Sequence, residues 1–170
     1  MSKGLPYSLS RGAFSSQQIS KLTIPVDTTI AVADGAPGFG TKVLSGLPQG
    51  NLLFLGAVSY LQFSTSDADV TATFDGDYAI GTVPTANNSL ADAGDADIIP
   101  STALGAATAK VSPVVRGAST DALGGGIIDN TDGSLEVNLN LLIDDAAISG
   151  AADFTVKGVV HIAVIVLGDD

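Results

Sequence analysis

Cysteine and tryptophan are absent from this chain of 170 residues, and histidine and methionine occur once each. Without cysteine there is no disulfide and no thiolate metal site, so stability has to come from packing or assembly. Without tryptophan, and with three tyrosines, a sugar-stacking cleft is poorly supplied. Cations are scarce as well: seven lysines and arginines stand against 18 acidic residues, a net charge of −11. Such a surface repels phosphate backbones, so nucleic acid is not an expected partner. No run approaches about 18 uninterrupted apolar residues, and the opening MSKGLPYSLSRGAFSSQQ lacks the apolar stretch of a secretory signal; neither a membrane span nor a signal peptide is expected.

What is present reads as β-structure. Apolar residues at 45% with 15% charged exclude a disordered chain, and 20 glycines with many Thr, Val and Ala favour strands joined by turns. All the acids but Glu136 are aspartates; Asp suits turns and loop starts where Glu suits helices, so the acid punctuates loops. Its distribution is uneven. Lys3, Arg11, Lys21 and Lys42 against Asp27 and Asp34 leave residues 1–42 at +2, and the remainder at −13. The length suits one domain that buries roughly 70% of the surface its unfolded form exposes. The expected division is an N-terminal segment over 1–18, either an extended arm anchored by scattered apolar residues or a frayed tail, and one β-sandwich domain over 19–170.

The clearest local signal lies in the last third. Leu135, Val137, Leu139, Leu141 and Ile143 alternate with Glu136, Asn138 and Asn140, and a second run extends from Val156 to Val166. Period two sends alternate side chains to opposite faces, so the leucine set is expected in a core and the Glu and Asn set in water. On that register Leu139→Ala costs about 2–5 kcal/mol and Asn138→Ala stays within about 0.5 kcal/mol. Strands are also expected at 19–24, 28–33 and 52–63, the last apolar on both faces, with Gly56 marking a bulge. Asp75-Gly76-Asp77 reads as the turn of a hairpin between 69–74 and 78–83. A long connection from Pro84 to about residue 108, an edge strand over 110–116 and one helical turn at 144–148 complete the pattern. Eight or nine antiparallel strands without a long helix indicate an all-β, two-sheet sandwich, most plausibly a jelly roll.

Catalytic vocabulary is thin. His161 sits mid-strand and no G-x-S-x-G occurs, so it is expected to be a hydrogen-bonded strand residue near a sheet or subunit boundary. Gly35, Gly38 and Gly40 have the spacing G-x-x-G-x-G with Pro37 inside, which fits a turn better than a phosphate cradle. The pairs Asp67 with Asp69 and Asp75 with Asp77, and the group Asp92, Asp95 and Asp97, lack the spacing of a calcium loop and read as solvated acid. No catalytic, cofactor-binding or metal-binding residue is expected, and the chain is not expected to be an enzyme.

Four segments, ATFDGDYAIGT at 72–82, ADIIPST at 96–102, LEVNLNLLIDDAAI at 135–148 and GVVHIAVIVLGD at 158–169, together resemble small β-sandwich decoration, or cement, proteins of tailed marine phages. The resemblance covers roughly residues 70–170. It implies a protein of the virion, made in the host cytoplasm, that sits on the outside of an assembled head as a homo-oligomer, usually a trimer, and staples the major capsid protein. Candidate partner contacts are Leu5, Tyr7, Arg11 and Phe14 in the arm, Asn87, Asn88 and Leu90 in the long connection, and Ile165 and Leu167 at the end of the last strand. A lectin-like or receptor-binding sandwich of a phage tail or adhesin is the alternative, and a hydrolase on a jelly roll a third.

Overall fold

The computed structural model describes residues 19–119 and 126–168. Within them nine strands run in chain order: β1 (Ile19–Val32), β2 (Gly38–Gly46), β3 (Gly50–Ser64), β4 (Gly76–Gly81), β5 (Ile99–Ala103), β6 (Val115–Ala118), β7 (Ile127–Asn130), β8 (Glu136–Ile143) and β9 (Ala152–Gly168). One 3-10 turn, Asp145–Ala147, sits where the helical turn was expected. All pairings are antiparallel and form two sheets. The first has the order β1-β9-β3-β6, with β7 also on β3; the second is β2-β8-β4-β5. The pairs nest: β1 with β9, β2 with β8, β3 with β6 and β7, and β4 with β5. A nested antiparallel ribbon rolled into two facing sheets is the jelly roll.

The core lies between the sheets. Leu139, Leu141 and Ile143 of β8 are fully buried with Ile30, Leu61, Phe63, Phe154 and Val164, as the alternation requires. Phe74 meets Phe154 edge-on at 5.2 Å, and Phe63 meets Tyr78 at 5.4 Å. Ser59 and Tyr78 are hydrogen-bonded across the two sheets at 2.9 Å, so the one buried hydroxyl pair in the core's path is satisfied.

The bulge at Gly56 is present and explains why β3 reads as apolar on both faces. Pairing with β9 shifts between Phe54 and Gly56, so Leu52 and Phe54 point inward before it and Leu61 and Phe63 after it. Leu53, Leu55, Val58 and Tyr60 are thereby sent to the outer face.

Several expectations give way. The two N-terminal strands are one, with Pro25 inside β1 opposite Val159; β1 is a sheet edge, where a missing N–H is tolerated. Asp75-Gly76-Asp77 is no hairpin turn. Gly76 opens β4, and a Cβ there would run into the Leu142 carbonyl of β8, so glycine serves close approach of strands. The segment 69–74 contributes only the bridge of Val70 to Ile148. The strand expected over 110–116 begins at Val115, because Ala109 and Lys110, both at positive φ (51° and 65°), form a tight turn between Thr108 and Val111. The glycine-rich stretch leads into β2, where a Cβ on Gly40 would strike the Ala31 carbonyl of β1.

Candidate functional site

Two surfaces contain the candidate residues, on opposite sides of the sandwich. The first is the outer face of the β2-β8-β4-β5 sheet, roofed by residues 82–98. Asn140 holds the roof down: its Nδ2 donates to the Val83 carbonyl (3.0 Å) and the Asp95 carbonyl (2.8 Å). Its Oδ1 accepts from the Thr85 backbone N–H (2.9 Å) and the Thr41 hydroxyl (2.7 Å). Asn138 and Asn140 are therefore buried, and the expectation that they stay in water is corrected; the strand periodicity is right, but a loop covers the polar face. Glu136 alone of that set is exposed.

The roof is tied down along its length. Asp97 accepts from the Thr82 N–H (2.8 Å) and hydroxyl (2.6 Å), and Val83 N–H donates to the Gly94 carbonyl. A Cβ on Gly81 would collide with the Gly94 carbonyl, so the loop rests directly on β4. Asn87 donates to Asp92 and accepts from the Ser89 N–H, Asn88 donates to the Ala36 carbonyl, and Leu90 is buried. Of these three candidate contacts, Asn87 and Asn88 are exposed on the roof, and Leu90 packs beneath it. Asp95, 2% exposed, has Oδ2 without a partner. Desolvation raises its pKa above the ordinary carboxylate value; the Thr85 hydroxyl opposes this, and Asp92 and Asp97 add to it.

Four of the other aspartates serve turns. Asp129 accepts from the Thr131 N–H and hydroxyl and Asp132 from those of Ser134, which lowers both pKa values. Asp67 caps the Asp69 N–H and Asp75 the Gly76 N–H. Burial, then Asp144 and Asp75, raise Asp77, against a hydrogen bond from Ser101. Among the described residues no three His, Asp or Glu side chains converge in a metal-binding arrangement, and no helix is long and apolar enough to cross a membrane.

The second surface is the outer face of the β1-β9-β3 sheet. Register places Ile19, Ile165, Leu53 and Ile127 side by side across β1, β9, β3 and β7. Ile19 is 64% and Ile127 63% exposed. Leu55 and Leu167 extend the patch and are themselves exposed. Further along come the rows Thr23–His161–Val58–Ala118 and Pro25–Val159–Tyr60–Arg116. His161 Nδ1 lies 3.2 Å from the Thr23 hydroxyl. Between the rows the small residues Gly56, Ala118 and Ala163 leave a shallow depression of about 410 Å³ whose rim carries Lys21, Arg116 and His161. Among the described residues, the strand positions from the Ile19 row to the Pro25 row carry no carboxylate on this face, on a chain of net charge −11.

Ile165 and Leu167 thus belong to a larger patch that includes Ile19, Leu53, Leu55 and Ile127. Those four were legible only with the bulge and the strand order in hand, since adjacency across strands is not written in the sequence. Leu5, Tyr7, Arg11 and Phe14 lie outside the described residues.

No family model matches the chain, and no curated protein matches it. Among solved structures, one of infectious bursal disease virus, Gx strain, aligns with a TM-score of 0.44 at 11% identity, over 89% of this chain and 32% of that one. The enzymatically active domain of tailspike protein 4 of bacteriophage CBA120 aligns with a TM-score of 0.30 at 11% identity, over 88% of this chain and 19% of that one. The chain spans about a third and about a fifth of these two, and at such scores neither likeness bears on function.

Proposed function

We propose that this is a non-enzymatic structural protein of a phage virion that decorates the outer surface of the assembled head as a homo-oligomer and staples major capsid subunits. The observation that carries the reading is the bare apolar face of the β1-β9-β3 sheet. A jelly roll whose other outer face is roofed by its own loop, yet which leaves Ile19, Leu55 and Ile127 in water, is built to be completed by another surface. Most polar groups of the roof bond within the chain, and Asp67, Asp75, Asp129 and Asp132 cap turns, which suits a scaffold. The virion location rests on the sequence resemblance over residues 70–170. The test is to mix purified protein with heads that lack it and count bound copies. Saturable binding at many copies per head is expected; no binding to heads, with binding on a glycan array, would replace decoration with the receptor-binding alternative.

A further inference from the structure

We infer that the outer face of the β1-β9-β3 sheet packs against the same face of a second copy, forming a face-to-face pair. This deepens the homo-oligomeric reading above and rests on it for the biological setting, but stands on its own geometry.

Charge selects the face. Two copies at −11 each repel at most approaches, and carboxylate against carboxylate in a desolvated contact is the costliest. Among the described residues, the rows from Ile19 to Pro25 are where an approach brings no strand carboxylate along. Area bounds the pair. Three long strands and a split fourth, at about 4.8 Å per strand and 3.3 Å per residue, make the rows from Ile19 to Pro25 a patch of roughly 19 by 23 Å, or about 440 Å²; the about 800 Å² per partner of a stable interface is reached with the flanking rows that include Asp27 and Lys157, so the carboxylate-free rows form its centre. Along the strands these rows give way at one end to Asp27, Lys157, Gln62 and Thr155 and at the other to Asn51 and Asp129, polar margins at both ends of the more apolar rows.

A self-paired face is isologous and closes as a dimer; it cannot by itself close the trimer that the resemblance implies. Sedimentation equilibrium on the full chain over about 1–100 μM should return twice 16.9 kDa. Leu55→Glu with Ile127→Glu, both at exposed positions, should weaken the pair by roughly a hundredfold or more while leaving the unfolding transition of the dilute protein intact. Val43→Glu with Val83→Glu, exposed on the other side of the sandwich, should leave it unchanged. Raising NaCl to about 0.5 M should tighten the pair by screening the net repulsion, whereas a contact between Lys21 or Arg116 and a neighbour's acidic loop would loosen. A monomer at about 100 μM, a trimer, loosening in salt, or equal loss in the control variant would each overturn the inference. Head binding separates the two readings: a dimer that never binds heads sinks decoration alone, and a monomer that binds them sinks the pair alone.

Discussion

Asn138 and Asn140 stand two residues apart on the same face of β8, both buried, and the structure assigns them very different energetic weight. Asn140 makes four hydrogen bonds, three of them to backbone groups of the 82–98 loop. At about 0.5–1.5 kcal/mol net for each, with two carbonyls and one N–H of the loop left without their partner, Asn140→Ala should cost about 3–5 kcal/mol. Asn138 makes one long bond to the Glu136 carbonyl at 3.4 Å and leaves Oδ1 unpartnered; alanine there removes an unsatisfied acceptor as well as side-chain volume and should cost less than about 1 kcal/mol. Urea titration at one fixed protein concentration measures both. For a protein of this size a loss of about 4 kcal/mol corresponds to roughly 8–15 °C in Tm. Asn140→Asp refines the test, since it keeps the volume but loses both donors, and should also be severe. Equal costs at 138 and 140, within about 1 kcal/mol, would refute the assignment of Asn140 as the pin of the roof.

Leu139→Ala, in the core at 0% exposure, should cost about 2–5 kcal/mol by chemical denaturation. Asp95→Asn tests the buried carboxyl: its raised pKa means that the folded state favours the protonated form, so wild-type stability from this group is full below the unfolded pKa and is lost as pH rises through the raised folded value. The stability difference between Asp95→Asn and wild type should therefore favour the variant most at neutral pH and shrink on acidification, read from melts across pH. Gly81→Ala pushes a methyl into the Gly94 carbonyl and should lift the roof, costing about 1–3 kcal/mol or more and opening 82–98 to proteolysis. Ala109→Asn, at φ 51°, should stabilise by about 0.5–1 kcal/mol, because Asn adopts the left-handed region more readily.

The strands whose signal is local were legible. β8 follows from strict alternation, and the bulge in β3 from a glycine within an apolar run. What was not legible depends on contacts distant in sequence. Gly76 looked like a turn residue because glycine serves both positive φ and close backbone approach, and only the arrival of β8 beside β4 decides between them. β5 was hidden inside a long polar connection, since Ile99 to Ala103 is too short to show a period. The burial of Asn138 and Asn140 was missed for the same reason: alternation tells which side a residue points to, and residues 82–98, some 50 positions away, decide whether that side is wet. Of the site, Ile165 and Leu167 were found through a strand that turns apolar on both faces, while their neighbours Ile19, Leu53 and Ile127 required the strand order.

The two outer faces of this sandwich differ in what can cover them. A loop laid over a sheet brings N–H and C=O groups that are not paired in a ladder, and each must find a partner once water is excluded. Over β8 the partners exist: Asn140 receives Thr85 N–H and supplies donors to Val83 and Asp95, so 82–98 can lie flat there. At the Ile19 end of β9 and β3 the outward side chains are Ile165, Ala163, Leu53 and Leu55, which offer the backbone of a loop no hydrogen bond; His161 and Tyr60 lie further along the strands. A cover for that face has to arrive with its own backbone already paired, as another sheet does, and with few carboxylates to desolvate. The outer face of the β1-β9-β3 sheet is itself such a surface, so the self-pairing proposed above would bury no unpaired backbone group.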